Sequence, residues 1–202
     1  MSNQFTKIAF TDSVKDVQQL MGSRKMYAHY EDAGKSNHLL TKNEIEFLNE
    51  RDSFYIATVS ETDWPYVQHR GGPKGFIKIL SENQIGFADF SGNKQYVSVG
   101  NLTKNNKVAL ILVDYPNQAR MKILGHVRIV DAKSEPDLLS KLTPENYKAK
   151  IERGFVITIS GYDWNCPQHI TPRWTADEIK EATLPLTNRI AELEKTLREL
   201  QK

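Results

Sequence analysis

The 202-residue sequence contains one cysteine, Cys166, so it cannot form a disulfide within itself. A lone thiol suits a reducing compartment, and a cytoplasmic location is expected. No run of about eighteen apolar residues occurs, so no transmembrane helix is expected. The first residues, Met-Ser-Asn-Gln-Phe-Thr, lack the charged and apolar regions of a signal peptide. Charge of one sign is also missing. The 27 Lys and Arg nearly balance the 25 Asp and Glu, leaving +2. They are scattered, which argues against a nucleic-acid surface. There is no internal repeat and no phosphate loop of the Gly-x-x-x-x-Gly-Lys-Ser/Thr type. His69, His126 and His169 lack the spacing of a helical zinc motif, and Cys166 with His169 supplies only two ligands. No metal site is expected.

What is present is ordinary for a folded protein: 39% hydrophobic and 26% charged residues. This length accommodates one substantial domain with appended helices. Residues 13–32 read as a helix capped by Ser13, with Val14, Val17, Leu20 and Met21 at helical spacing. A loop with Gly34, Ser36 and Asn37 follows. Thr41-Lys42-Asn43-Glu44 is a capping box at the start of a short helix whose apolar side is Ile45, Phe47 and Leu48.

From residue 53 the hydrophobic period changes to that of strands. Residues 54–59, 66–70, 76–80, 85–90, 108–115, 121–130 and 155–160 are rich in β-branched and aromatic residues and bounded by turn signals. The run 108–115 is nearly all apolar, as for a strand buried on both faces. Residues 95–104 and 136–153 read as helices. Short strands at hairpin spacing predict a mainly β antiparallel barrel with flanking helices. Residues 163–173 look too irregular for either element. The tail is helical, with Leu186, Ile190, Leu193, Leu197 and Leu200 forming an apolar seam. That seam suits either a helix docked on its own domain or a small coiled coil between subunits. Trp64, Trp164 and Trp174 read as core or interface anchors.

The densest chemistry lies in Gln68-His69-Arg70-Gly71-Gly72-Pro73-Lys74-Gly75-Phe76 and Phe87-Ala88-Asp89-Phe90-Ser91-Gly92-Asn93-Lys94. On a strand, Gln68 and Arg70 share one face and His69 takes the other. Arg70 and Lys94 are suited to neutralise a phosphate, and Gly71 and Gly72 to let the backbone approach a flat ligand. Gly92-Asn93-Lys94 follows a strand and opens a helix, where amides receive anions. Each cluster by itself also fits a solvated turn.

Together with Asn165-Cys166-Pro167-Gln168-His169-Ile170, these blocks and their spacing resemble the pyridoxamine 5'-phosphate oxidase-related flavin-binding proteins, from about Thr41 to Arg173. The resemblance implies an antiparallel split β-barrel that binds flavin mononucleotide (FMN) at a homodimer interface. By it, Arg70 contacts the flavin phosphate, with Gln68 and His69 beside it. The backbone of Gly71, Gly72 and Pro73 runs along the ring, and Phe87, Ala88 and Asp89 lie on the strand touching the cofactor. Lys94 matches the phosphate-binding lysine, while Asn93 replaces the arginine usual before it. Arg120 stands where the oxidases carry a glutamine reaching the ring from the partner subunit. Gln168 and His169 are read as polar groups near the flavin, or as a loop held by its own hydrogen bonds.

The oxidases' closing arginine-x-histidine pair, which grips the vitamin phosphate, is replaced here by the loop and the helix. The expected function is therefore an FMN-dependent oxidoreductase acting on something other than pyridoxamine phosphate. Its expected partners are NADH or NADPH as donor and a small-molecule acceptor, with neither nucleic acid nor membrane. The alternative is a non-catalytic flavin- or haem-binding module for sensing, storage or stress, because related split barrels include haem binders. The expected domains are a helical extension over 1–40, the barrel over 41–174 and a helical tail over 175–202.

Overall fold

The computed structural model describes residues 3–33 and 36–201. Four helices come first: α1 (Gln4–Ala9), α2 (Asp12–Leu20), α3 (Arg24–Ala33) and α4 (Lys42–Asn49). Strands β1 (Ser53–Val59), β2 (Pro65–Gly71), β3 (Lys78–Ser81) and β4 (Gln84–Phe90) follow, then α5 (Val97–Lys104). The chain continues through β5 (Lys107–Asp114), β6 (Ala119–Val130), α6 (Pro136–Leu142), β7 (Ile151–Asn165) and α7 (Ala176–Leu200). It divides into two compact units. One runs up to Val113 and resumes over Ala119–Cys166; the other comprises Asp114–Gln118 and the chain from Pro167 onward.

The first unit is built on a seven-stranded sheet of order β2-β1-β5-β6-β7-β4-β3. β1 pairs antiparallel with β2 and β5, β7 with β6 and β4, and β4 with β3. β2 and β3 are its edges, so the sheet is not closed by backbone hydrogen bonds. It curls nonetheless. Phe54 on β1 meets Phe87 on β4 with ring centroids 5.1 Å apart, and Phe87 stacks on Phe155 of β7 at 5.2 Å. Phe76, just before β3, stacks on Phe54 at 5.8 Å. All four rings are fully buried. Each stabilises the fold by roughly 1.5–3 kcal/mol through apolar burial. An antiparallel sheet curled about one core but left unclosed is the expected split barrel.

Several elements differ from the sequence expectation for identifiable reasons. The helix expected over 13–32 is broken into α2 and α3 at Met21-Gly22-Ser23, where Gly22 takes φ +77°. Gly34 of the expected loop lies outside the described residues. The helix expected over 136–153 stops at Leu142: Pro144 disfavours helical geometry at the preceding residue, and Thr143 has ψ 123°. β7 runs on through Asp163, Trp164 and Asn165, which sequence alone marks as irregular. There Lys122, Met121 and Arg120 of β6 provide cross-strand partners. β5 is buried on one face only, through Val108, Leu110, Leu112 and Asp114; Ala109, Ile111 and Val113 are half-buried. Nor are the tryptophans core residues. Trp64, Trp164 and Trp174 are all exposed, and Trp164 packs edge-on against Phe47 at 4.7 Å.

The capping box is present, with the Thr41 amide donating to the Glu44 carboxylate at 2.9 Å. It also locates α4 against β7, because the Trp164 indole donates to the other Glu44 oxygen at 2.8 Å. At the N-terminus, the Asn37 side chain accepts from the amides of Gln4 (2.7 Å) and Phe5 (3.3 Å), and the Asn37 carbonyl accepts from the Tyr162 amide at 2.7 Å. α1 approaches β7 so closely that a Cβ on Gly161 would lie 2.7 Å from the Phe5 nitrogen. Glycine at 161 permits that approach.

Candidate functional site

A cavity of about 230 Å³ opens between β2, the end of β4 and the segment leading into α5. Tyr66, Gln68 and Arg70 line it from β2, and Asp89 lines it from β4. Asn93, Lys94 and Tyr96 line it from the connecting loop, and Glu152 from β7. The alternation of β2 explains the first group: Tyr66, Gln68 and Arg70 are half-buried, while Val67 and His69 face the other way and are exposed. His69 packs its ring against Tyr55 at 5.4 Å on that outer face.

The loop is shaped by backbone conformation. Lys94 and Tyr96 both take positive φ, 60° and 53°. This is uncommon for residues other than glycine and asparagine. The Gln95 amide donates to the Asn93 side chain at 3.2 Å, which tightens the turn. Lys94 itself is exposed. At the start of α5, Ser98 donates to Gln68 Oε1 at 2.8 Å, and Asn101 to Thr58 at 3.0 Å, tying that helix to β2 and β1.

The floor is charged and largely buried. Asp89 is buried and ion-paired with Arg70, and Arg153 Nε lies 3.3 Å from its other oxygen, misaligned for a hydrogen bond. Arg70 also lies over the Phe155 ring, 5.4 Å from its centroid. Burial pushes the Asp89 carboxyl above its ordinary value, against the opposing pull of Arg70 and then Arg153. Glu152 goes the other way. A hydrogen bond from the Ser91 hydroxyl at 2.9 Å, with others from Arg153 and Tyr96, holds its carboxyl low.

Arg70 Nε and Arg153 Nε are buried without an acceptor. A buried guanidinium N–H left unpaired is costly, so such donors call for an acceptor, from water or an anion. Arg70 is the one of the two that lines the cavity, together with the exposed ammonium of Lys94. That donor set fits a phosphate monoester.

The other expected site residues are placed elsewhere. Gly71 ends β2. A Cβ on Gly72 would lie 2.7 Å from the Phe76 ring, so the tight chain at Gly72 serves packing against its own neighbour. Pro73 accepts from the Phe76 amide at 2.9 Å. Phe87 and Ala88 are buried in β4, paired with Phe155 and Gly154 of β7, and do not line the cavity. Arg120 lies on β6 opposite Asn165, and Arg120 Nε and Asn165 Oδ1 are both buried without partners. Gln168 and His169 belong to the second unit, where both are exposed and His169 takes φ +65°. In that unit Gln118 donates to the Ile170 carbonyl at 2.7 Å. Sequence reasoning missed Glu152 and Arg153, which fall at the end of the proline-bearing segment 136–153 read as helix and in fact open β7. Register alone reveals them, because Asp89 pairs with Arg153 across β4 and β7.

A curled, unclosed antiparallel sheet with a cavity lined by Arg70 and Lys94 at its open side defines the class as a split-barrel protein. The family model described as pyridoxamine 5'-phosphate oxidase matches residues 40–163, and the chain belongs to that family. No curated protein sequence matches it. Among solved structures, HupZ of Group A Streptococcus is similar at 12% identity. That alignment covers 67% of this chain and all of that one, with a TM-score of 0.51. An FMN-binding protein from Syntrophomonas wolfei is 15% identical over 73% of this chain and 97% of that one, with a TM-score of 0.41. HutZ, the heme storage protein from Vibrio cholerae, is 14% identical over 60% and 92% respectively, with a TM-score of 0.38. At these identities the likeness is one of fold.

Proposed function

We propose that the protein binds flavin mononucleotide and acts as an oxidoreductase on a substrate other than pyridoxamine phosphate. The observation that carries this reading is the cavity that Arg70, ion-paired to Asp89 and with its Nε buried and unpaired, lines together with Lys94. Family membership supports it independently. Arg70 would hold the flavin phosphate from the strand, and Lys94 would neutralise it from the loop. Gln68, oriented by Ser98, would hydrogen-bond the ribityl chain. Asp89 would keep the Arg70 guanidinium in place rather than touch the ligand. A bound flavin supplies two-electron chemistry, while the protein's contribution is binding, orientation and exclusion of water.

At about 230 Å³ the cavity is smaller than the roughly 300–1,000 Å³ typical of small-molecule sites. It suits the phosphate end, so the ring would need a further wall. A homodimer would provide one. The outer face of β2, β1, β5 and β6 carries a shallow apolar hollow lined by Tyr55, Ala57, Val67, Ala109, Ile111 and Leu124, with Tyr55 and Val67 well exposed. An apolar patch of this kind is typical of a subunit interface. Arg120, with its unpaired Nε, is the residue proposed to reach the ring from the second copy.

Titration of the purified protein with FMN, followed by flavin fluorescence and calorimetry, tests the cofactor. The expected result is saturable binding at one site per chain. Absence of binding, with a colourless protein as purified, would remove the proposal. Anaerobic addition of NADH or NADPH to the loaded protein then tests electron transfer, with bleaching of the flavin as the expected result.

A further inference from the structure

α7 has 25 residues, none of them buried. Pro185 lies inside it and lacks the N–H of a normal helical residue, so the uninterrupted seam begins at Leu186. From there Leu186, Ile190, Leu193, Leu197 and Leu200 recur at alternating spacings of four and three, and all are exposed. This is a heptad pattern, with Leu186, Leu193 and Leu200 at d and Ile190 and Leu197 at a. Leucine at d with a β-branched residue at a, here Ile190 but not Leu197, favours two parallel strands.

The flanking charges agree with that orientation. Arg189 falls at g and Glu194 at the following e. In a parallel, in-register pair, g of one helix faces the next e of the other, so Arg189 meets Glu194 of a second copy twice by symmetry. An antiparallel pair would instead bring g against g and e against e, so Arg189 and Glu194 would not meet. Within one helix Arg189 is held by Glu192 at 2.6 Å, an exposed pair of small worth that does not oppose the intersubunit contact.

We propose that the C-terminal helices of two copies form a short parallel coiled coil through these five residues, oriented by Arg189–Glu194 pairs. A seam of this length is marginal as an isolated peptide. It gains from the high local concentration of a second copy already held elsewhere, so it rests on the homodimer proposed above.

The test uses the full chain carrying Cys166→Ser. Leu200→Cys places a thiol in the seam, and Lys195→Cys places one on the outer f position. Under mild oxidation the Leu200→Cys chain should become disulfide-linked at least about tenfold faster than the Lys195→Cys chain, because only seam positions meet the Cα separation a disulfide needs. Adding Glu194→Arg should slow that linkage roughly fivefold, and adding Arg189→Glu as well should restore it. Light scattering gives the mass of each variant. Equal linkage rates would overturn the coiled coil, and a dimeric mass in that case would leave the barrel dimer standing. A monomeric wild-type protein would overturn both. Linkage unaffected by Glu194→Arg would overturn the charge-directed orientation.

Discussion

Arg70 on β2 and Asp89 on β4 form an ion pair across the opening that the backbone ladder leaves between the two ends of the sheet. Four strands separate their strands in sheet order, and the sheet's curl brings them together. The same guanidinium also lines the candidate phosphate cavity. One side chain therefore serves closure and, on the proposed reading, phosphate binding.

Arg70→Ala should consequently lower stability and flavin affinity together. It leaves Asp89 buried with only the misaligned Arg153, and losing one partner of a buried pair costs about 3–5 kcal/mol. The second guanidinium places the expected loss at the lower end, read from urea denaturation of the protein without added flavin. Unchanged stability would mean that the ion pair contributes nothing to closure.

Lys94→Ala separates the two roles. Lys94 is exposed, and its substitution should leave the urea midpoint unchanged. FMN affinity should fall roughly tenfold or more, as expected for loss of one charge-assisted contact. Calorimetric titration reads this directly, and wild-type affinity would place the phosphate elsewhere.

Glu44 predicts the acid limit of stability. Burial, the largest single influence, pushes its carboxyl up, but hydrogen bonds from the Thr41 hydroxyl, the Trp164 indole and the Thr41 amide together outweigh it. Its folded value is therefore below the ordinary 4.5. A depressed folded value means stability that is present above the unfolded value and lost as pH falls through the folded one. Glu44→Gln should cost about 1–3 kcal/mol at neutral pH, and the gap to wild type should narrow below about pH 4.5. Parallel denaturation curves from pH 7 to pH 3 for the two proteins provide the check, and a constant gap would refute the assignment.

Gly161→Ala tests the docking of α1. The added Cβ would press on the Phe5 backbone, which cannot rotate away as a side chain would. A loss of about 1–3 kcal/mol is expected, with faster amide exchange in α1. Wild-type melting would show that α1 is not held at that distance.

Much of the fold is legible before any coordinates, because strand and cap signals are local. The alternation through Tyr66, Gln68 and Arg70 sorts β2 into a cavity face and an outer face correctly. Thr41 and Glu44, three residues apart, specify their capping box wherever they are placed. Misreadings fall where a local signal competes with a distant one. Gly22 interrupts an otherwise periodic helix, and Pro144 stops another. The 163–165 segment looks irregular until Arg120–Lys122 pair with it. The candidate site is half legible for the same reason. Gln68, Arg70, Asn93 and Lys94 stand out by type and spacing, whereas Glu152 and Arg153 enter only through the register of β7 on β4.

The sequence by itself determined the antiparallel β class, the capped helices, the family to which the chain belongs and the heptad pattern of α7. Each depends on residue types at short, regular separations that local geometry reads out. Only the tertiary structure decided that Arg70 is already paired with a buried Asp89, that Phe87 is core and that Trp164 anchors Glu44. Burial and ion pairing depend on which distant strands the curled sheet brings together. Local spacing carries no record of that partner choice.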